Sequence, residues 1–327
     1  MVSDPKKHIS SNWMKTHITE IAAYGGFAFC LILFTILTPM FGESIWSPTK
    51  LATLISDVIV LALASVGAVF IYALGCMDIS IGTQVGLYAT LMVIIGNATD
   101  SLMGGIAVSL ALAVIIAAAN GATGELLNIV SVVSSLVIRM VLTGVNTITY
   151  NHLGSRNIAL KTIDYHIFKS PWVMLVALVI EIIVVTYLFN YTKFGKNAKA
   201  IGANKVAAEQ SGINIVKYKV ISYIICGVCV VLASMFRMGY TGSASDSTGT
   251  GLEMNIMVAL ILGGMPLSGG MKSKVSCAVV GALTFSLLNV GLPMIGVPVN
   301  QVNLIKAIIF IIVVLITCRK PNGMLPR

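Results

Sequence analysis

From Ile21 onward the chain is a succession of apolar runs, most close to twenty residues long, separated by short polar stretches. A helix needs ~20 mostly apolar residues to cross ~30 Å of hydrocarbon. Lipid offers the backbone no hydrogen-bond partners, so runs of this length must satisfy their own N–H and C=O groups as helices. About ten such segments are expected, near Ile21–Thr38, Ala52–Leu74, Gly82–Ile95, Gly104–Asn120, Leu127–Thr147, Trp172–Asn190, Tyr218–Gly239, Met254–Gly264, Ser276–Leu292 and Val302–Cys318. The third and eighth are short and read as half-helices or buried segments. The composition agrees: 57% of residues are hydrophobic and 10% charged, whereas a soluble domain carries about 25% charge. The expected fold is an all-α polytopic membrane protein with some short or broken helices.

The chain carries a net charge of +9, but its Lys and Arg sit between apolar runs. They do not form the continuous patch that a nucleic-acid surface requires, so no nucleic-acid partner is expected, and membrane lipid is. Lys and Arg concentrate on the cytoplasmic side of membrane proteins. If the N-terminus is cytoplasmic, 14 of the 21 basic residues fall on that side, among them Lys6, Lys7, Lys15, six lysines between Lys193 and Lys219, Lys272, Lys274, Arg319, Lys320 and Arg327. Only Lys50, Arg156, Lys161 and Lys169 fall outside, and Arg139, Arg237 and Lys306 lie in or at the ends of apolar runs. Both termini are therefore expected in the cytoplasm, which an even number of spans satisfies. Residues 1–20 are polar and lack the apolar stretch and small-residue cleavage site of a removed signal peptide. No linker-rich boundary divides the chain, so residues 1–327 are read as one membrane domain, with 1–20 a cytoplasmic segment and 191–219 the longest cytoplasmic loop.

Ionisable side chains at membrane depth are costly and usually face a protein interior or a water-filled path. The candidates are Asp57, Asp78, Arg139, Glu181 and Lys306. Glu181 and Lys306 read as interfacial or helix-end positions whose long side chains reach water; for Asp57 and Arg139 both readings stand. Asp78 differs, because it lies in G-C-M-D-I-S-I-G, a Gly-containing break between two apolar runs. Such breaks are tolerated where they line a cavity or are buried in protein, and Ser80 and the helix start after it offer donors to a polar ligand. Gly82 and Gly86 form a small-xxx-small pattern of the kind that packs helices.

The stretch Leu262–Lys274, L-G-G-M-P-L-S-G-G-M-K-S-K, fails as a phosphate loop, because Met271 stands where Gly must precede Lys. It reads as the end of one membrane segment and the start of the next. Cys226 and Cys229 form a C-x-x-C inside an apolar run, without a second pair or a histidine nearby, and read as packing. The histidines lie outside the apolar runs, and neither H-E-x-x-H nor G-x-S-x-G occurs. No catalytic residues, metal or cofactor are expected.

The basic stretch Lys193–Lys219 is the most informative segment. Ala198–Gln210 is rich in helix formers, with small residues at Ala200, Ala203, Ala207 and Ala208, and Ser211-Gly212 should stop the helix. A short surface helix of this kind is shaped to dock into a groove of another protein. Here the sequence resembles the membrane permease subunit of bacterial ABC importers for monosaccharides of the ribose and galactose type. The family's coupling-loop pattern G-x-N-x-x-A-A-x-x-S-G-I is matched by Gly202, Asn204, Ala207, Ala208, Ser211, Gly212 and Ile213. Three further stretches are similar to family motifs: Gly75–Thr83, with Ile79, Ile81 and Thr83 as variants; Gly249–Gly270; and Gly281–Val297. Cys76, Met77 and the M-K-S-K after the last Gly pair depart from the pattern.

The resemblance implies a subunit that pairs with a second permease, an identical or related chain, to form one translocation path in the bacterial inner membrane. Cytoplasmic ATP-binding subunits would grip the 191–219 loops, and an extracytoplasmic sugar-binding protein would deliver the solute. Asp78, Ser80, Asn255 and Asn289, with Asp57, are the candidate path-lining groups. The alternative is a stand-alone secondary transporter or channel, which would depend on titratable residues such as Asp57 and Asp78.

Overall fold

The computed structural model describes residues 5–161 and 165–317, and the side chains of these except 5–20, 299, 314, 316 and 317. In chain order the helices are α1 (Pro5–Met40), α2 (Pro48–Ala73), α3 (Ile81–Thr99), α4 (Leu102–Leu126), α5 (Ser131–Leu153), α6 (His166–Lys169), α7 (Pro171–Tyr191), α8 (Lys193–Ala203), α9 (Lys205–Gln210), α10 (Ile215–Thr241), α11 (Leu252–Leu262), α12 (Val275–Met294) and α13 (Val299–Thr317). Two short strands, β1 (Asn157–Ala159) and β2 (Ser243–Ser245), pair antiparallel between the α5–α6 and α10–α11 connections.

Among the described residues, eight helices are long and apolar enough to cross a membrane. Two shorter apolar stretches, Leu252–Leu262 and Asn300–Val313, accompany them. The chain is an all-α polytopic membrane protein. The eighth expected segment is indeed short, at 11 residues. The third is not: α3 runs 19 residues to Thr99, because Asn97 and Thr99 are polar only at its tip, where hydropathy falls while the helix continues. Cys318, Arg319, Lys320 and Arg327 lie outside the described residues.

The centre of the bundle is α2. From Val58 to Leu74 it is buried on every side, as expected of a helix apolar all round. α10 packs along both α2 and α4. Small residues let these axes approach: a Cβ on Gly67 of α2 would stand 3.1 Å from the Cys226 Cα and 3.0 Å from the Cys229 Sγ. The C-x-x-C thus belongs to the α2–α10 contact, and both thiols are buried there. Close packing through small residues is how membrane helices associate without a hydrophobic driving force between them.

Helix faces reveal what segment hydropathy cannot. In α7 the buried residues Met174, Leu178, Glu181, Val185 and Phe189 recur at helical spacing, while Leu175, Val176, Val179, Ile180, Ile183 and Val184 are exposed. Glu181 is therefore turned into the bundle, at 5% exposure, and not toward an interface as expected. Lys306 is likewise buried, at 9%. A position within a run predicts depth, whereas the 3.6-residue period decides the face.

Candidate functional site

A cavity of about 190 Å³ opens where α2, α10 and α12 meet the 246–251 connection, lined by Asp57, Arg237, Ser247, Thr250, Asn255, Phe285 and Asn289 among others. Arg237 lies 22 residues beyond the start of α10, roughly 33 Å along its axis. The cavity is therefore at the end of the bundle away from α8 and α9. Three residues singled out in the sequence, Asp57, Asn255 and Asn289, share it. A polar relay runs behind its wall: Asn289 Nδ2 donates to Asp57 Oδ2 at 3.3 Å, and Lys306 Nζ donates to Asn289 Oδ1 at 3.0 Å. The same ammonium lies 4.7 Å from the Phe285 ring centroid. A carboxylate, a guanidinium, two amides and hydroxyls around one small volume suit a polar solute that both donates and accepts hydrogen bonds.

Asp78 and Ser80 are not part of this cavity. They belong to a buried network at the break between α2 and α3. Asp78 Oδ1 accepts from the Ser80 N–H at 2.8 Å and from the Ser80 hydroxyl at 2.5 Å. Gln84 Nε2 donates to Ser80 Oγ at 2.8 Å, and Tyr88 donates to Gln84 Oε1 at 3.1 Å. Asn120 of α4 donates to Ser80 Oγ at 3.4 Å and accepts from Ser134 of α5 at 3.3 Å. The helix break is thus stitched to α4 and α5 by polar groups, which in a low-dielectric interior must be mutually satisfied.

Gly82 and Gly86 do meet close neighbours: the backbone of the 248–249 loop and, at Gly82, a side chain of α11. A Cβ on Gly86 would collide with the Thr248 carbonyl oxygen, and one on Gly82 with the Gly249 carbonyl and the Glu253 carboxylate. Glu253, in the first turn of α11, is buried. It takes an ion pair from Arg139 of α5 at 2.9 Å. A carboxylate is favoured there by the positive end of the helix dipole. Arg139 stays half-exposed and begins a stripe on α5, with Thr143, Thr147 and Asn151 following at every fourth residue and exposed. The exposed face of α7 carries only apolar side chains over Leu175–Val184.

Sequence reading missed Arg237, Glu253 and the α5 threonines. Glu253 was findable, as an acid opening a short apolar helix. Arg237 was not, because only the folded chain brings the far end of α10 beside Asp57.

The 191–219 segment is two helices rather than the single one expected over Ala198–Gln210. Asn204 interrupts them in an extended conformation (φ −161°, ψ 104°), and its Oδ1 accepts from the Ala207 N–H at 3.0 Å. Asn is among the strongest N-caps, which is why the helix restarts there. The expected stop at Ser211-Gly212 is present. Gly212 takes φ +79°, and the Gly212 and Ile213 N–H groups return to the Glu209 and Ala208 carbonyls at 2.9 and 3.1 Å.

On α8, Gly202 packs against the end of α2, where a Cβ would collide with the Ala73 carbonyl. The α11–α12 turn closes the same junction, with the Gly270 N–H donating to that carbonyl at 2.8 Å. Lys199 donates to Asn190 and lies over the Phe189 ring; burial, and secondarily Lys274, lowers its pKa from the ordinary lysine range. α9 buries only Ala208, leaving Val206, Ala207, Glu209 and Gln210 exposed.

A family model described as branched-chain amino acid transport system / permease component matches residues 50–315. The ribose import permease protein RbsC of Escherichia coli K12 is 26% identical over 96% of this chain and 97% of its own length. The galactose/methyl galactoside import permease protein MglC of the same strain is 29% identical over 92% of this chain and 95% of its own. The xylose transport system permease protein XylH of Haemophilus influenzae is 36% identical over 44% of this chain and 38% of its own. No solved structure matches the chain significantly.

Proposed function

This chain belongs to the family of branched-chain amino acid transport system permease components, and from that premise we propose that it is the membrane subunit of an ATP-driven importer for a monosaccharide-sized polar solute in the bacterial inner membrane. It holds no catalytic role; separate cytoplasmic ATP-binding subunits hydrolyse ATP and grip α8 and α9. Lysine asymmetry supports a cytoplasmic position for this segment and for both termini.

The observation that carries the reading is α9: a short helix capped at both ends, exposed on all but one residue, and joined through α8 to the end of the central helix α2. Such a projection adds only Ala208 to a small apolar cluster with Leu74, Ala198, Ile201 and Ile215, and gives an outside motor a firm handle. Gly202, Asn204, Ala207, Ala208, Ser211, Gly212 and Ile213 have distinct tasks in it. Gly202 permits the α2 contact, Asn204 caps, Ala208 anchors, Ala207 presents the docking face, and Ser211, Gly212 and Ile213 end the helix.

Near-full-length likeness to ribose and galactose import permeases supports a sugar as the solute. So does cavity size: a cavity of about 150 Å³ in another protein accommodates benzene, so 190 Å³ suits one six-membered ring. Asp57, Asn255 and Asn289 contact the solute in this reading, while Asp78 and Ser80 set the helix break beside the path. The partly exposed Arg139 on α5 supports a second permease or a water-filled path against that face, since lipid disfavours a charge. An extracytoplasmic binding protein delivers the solute to the cavity end.

The test is copurification and uptake. The intact chain is expected to bring an ATP-binding subunit with it and to support uptake only when that subunit hydrolyses ATP. The Asp57–Asn289–Lys306 relay favours a second reading, a stand-alone proton-coupled transporter. Uptake by the chain alone in vesicles, driven by a proton gradient, would establish that reading instead.

A further inference from the structure

One carboxylate at the end of α4 holds two lysines from two different elements. Glu125 Oε2 pairs with Lys205 Nζ at 2.6 Å, and Glu125 Oε1 with Lys219 Nζ at 3.1 Å. Lys205 is the first residue of α9 and Lys219 lies in the first turns of α10. The two lysines are not equivalent, since the Lys205 side chain is 54% exposed and that of Lys219 only 3%. Lys219 is fixed by packing: a Cβ on Gly124 would stand 2.7 Å from its Nζ, and one on Gly121 2.8 Å from the Val220 Cα.

From this geometry we infer that Glu125 is a positioning residue for coupled transport, tying the surface helix α9 to the membrane helix α4. The inference rests on the reading of α8 and α9 as the ATPase handle. The Lys219 pair is permanent, because a buried ammonium left without its carboxylate is strongly unfavourable. The Lys205 pair is exchangeable, because a half-exposed ion pair contributes little stability and water can replace it. Glu125 therefore remains satisfied whether α9 is seated or displaced. That gives the junction two discrete arrangements, which transmission between distant sites requires. Asn120 lies five residues before Glu125 on the same helix. It reaches both Ser80, at the break beside Asp78, and Ser134, in the first turn of α5. A displacement of α9 that pulls on Glu125 is passed along α4 to the elements carrying the helix break and the polar α5 face.

Removing Glu125 would orphan Lys219 and could prevent folding, so the informative variant is Lys205→Met, with Lys205→Arg as the conservative control. Both are measured in the full complex reconstituted in vesicles, reading melting temperature, ATPase copurification, ATP hydrolysis and solute taken up per ATP. Lys205→Met is expected to keep its melting temperature, its ATPase and its hydrolysis rate, while uptake per ATP falls about tenfold, within the usual range of coupling energies. Lys205→Arg is expected to restore uptake per ATP. Unchanged uptake per ATP in Lys205→Met would overturn the inference while leaving the handle intact. Loss of the ATPase from Lys205→Met would also overturn it, making Lys205 a docking contact. If the parent complex carries no ATPase, the handle reading fails and takes the inference with it.

Discussion

Asp57 and Asp78 are two carboxylates at membrane depth with opposite surroundings. Asp57 lines an open cavity and has Asn289 as a hydrogen-bond donor; Asp78 is buried, with its Oδ1 taking both donors of Ser80. Their substitutions should separate. Asp57→Asn removes charge but keeps size and one acceptor. It is expected to leave assembly and melting temperature unchanged and to lower uptake at limiting solute by about tenfold, the loss of one charge-assisted hydrogen bond. Asp78→Ala strands the Ser80 N–H and hydroxyl in the interior. It is expected to cost about 1–3 kcal/mol of stability, seen as a lower melting temperature in detergent, and to impair uptake as well. Normal uptake with a normal melting temperature would remove Asp78 from both roles. Residue types were legible in the sequence at these positions, because charge inside an apolar run stands out. Grouping was not. Asp57, Asn255 and Asn289 come from three helices, and the glycine-permitted approach of helices decides which side chains share a cavity. The Gly-containing break set Asp78 apart in the local sequence, but not the buried network with Ser80, Gln84 and Asn120 that keeps it out of the cavity.

At the scale of elements, α9 is bounded by caps and α8 is bounded by contact. Ala207 is exposed on a capped helix, so Ala207→Trp is expected to preserve insertion and melting temperature while abolishing ATPase binding or its coupling to uptake. Uptake at the parent rate would count heavily against docking on this face. Gly202 sits where a Cβ meets the Ala73 carbonyl. Gly202→Val forces α8 away from α2, an overpacking penalty of roughly 1–3 kcal/mol or more, and should lower the melting temperature, unlike Ala207→Trp. The membrane helices were legible because runs of ~20 apolar residues admit only helices, and α9 because of its helix formers and the Ser211-Gly212 stop. The break at Asn204 was legible in principle: Asn three residues before an N–H that needs a partner is a cap signal. It was overridden by the helix formers on either side. The face of each helix was the least legible feature. Glu181, Lys306 and the α5 stripe all turn on it, since each lies within an apolar run whose mean hydropathy does not say which side chains face the bundle.

For the whole molecule, the cavity and the proposed handle, α8 and α9, lie at opposite ends of the bundle, joined by α10, α2 and α4. A permease with its solute site at one end and its motor contact at the other must transmit movement through packed helices, and the close contacts of α2 with α10 and of α4 with α10 provide the rigid members. The most direct test is chemical access to position 207. Ala207→Cys, in a chain whose native cysteines are replaced, is treated with an impermeant maleimide from either side of oriented vesicles, and in parallel with a short thiol-to-amine cross-linker in the assembled complex. Labelling from the cytoplasmic side only, with an adduct to a nucleotide-hydrolysing subunit, is the predicted result. Labelling from the outer side, or no adduct to any such subunit, would contradict it.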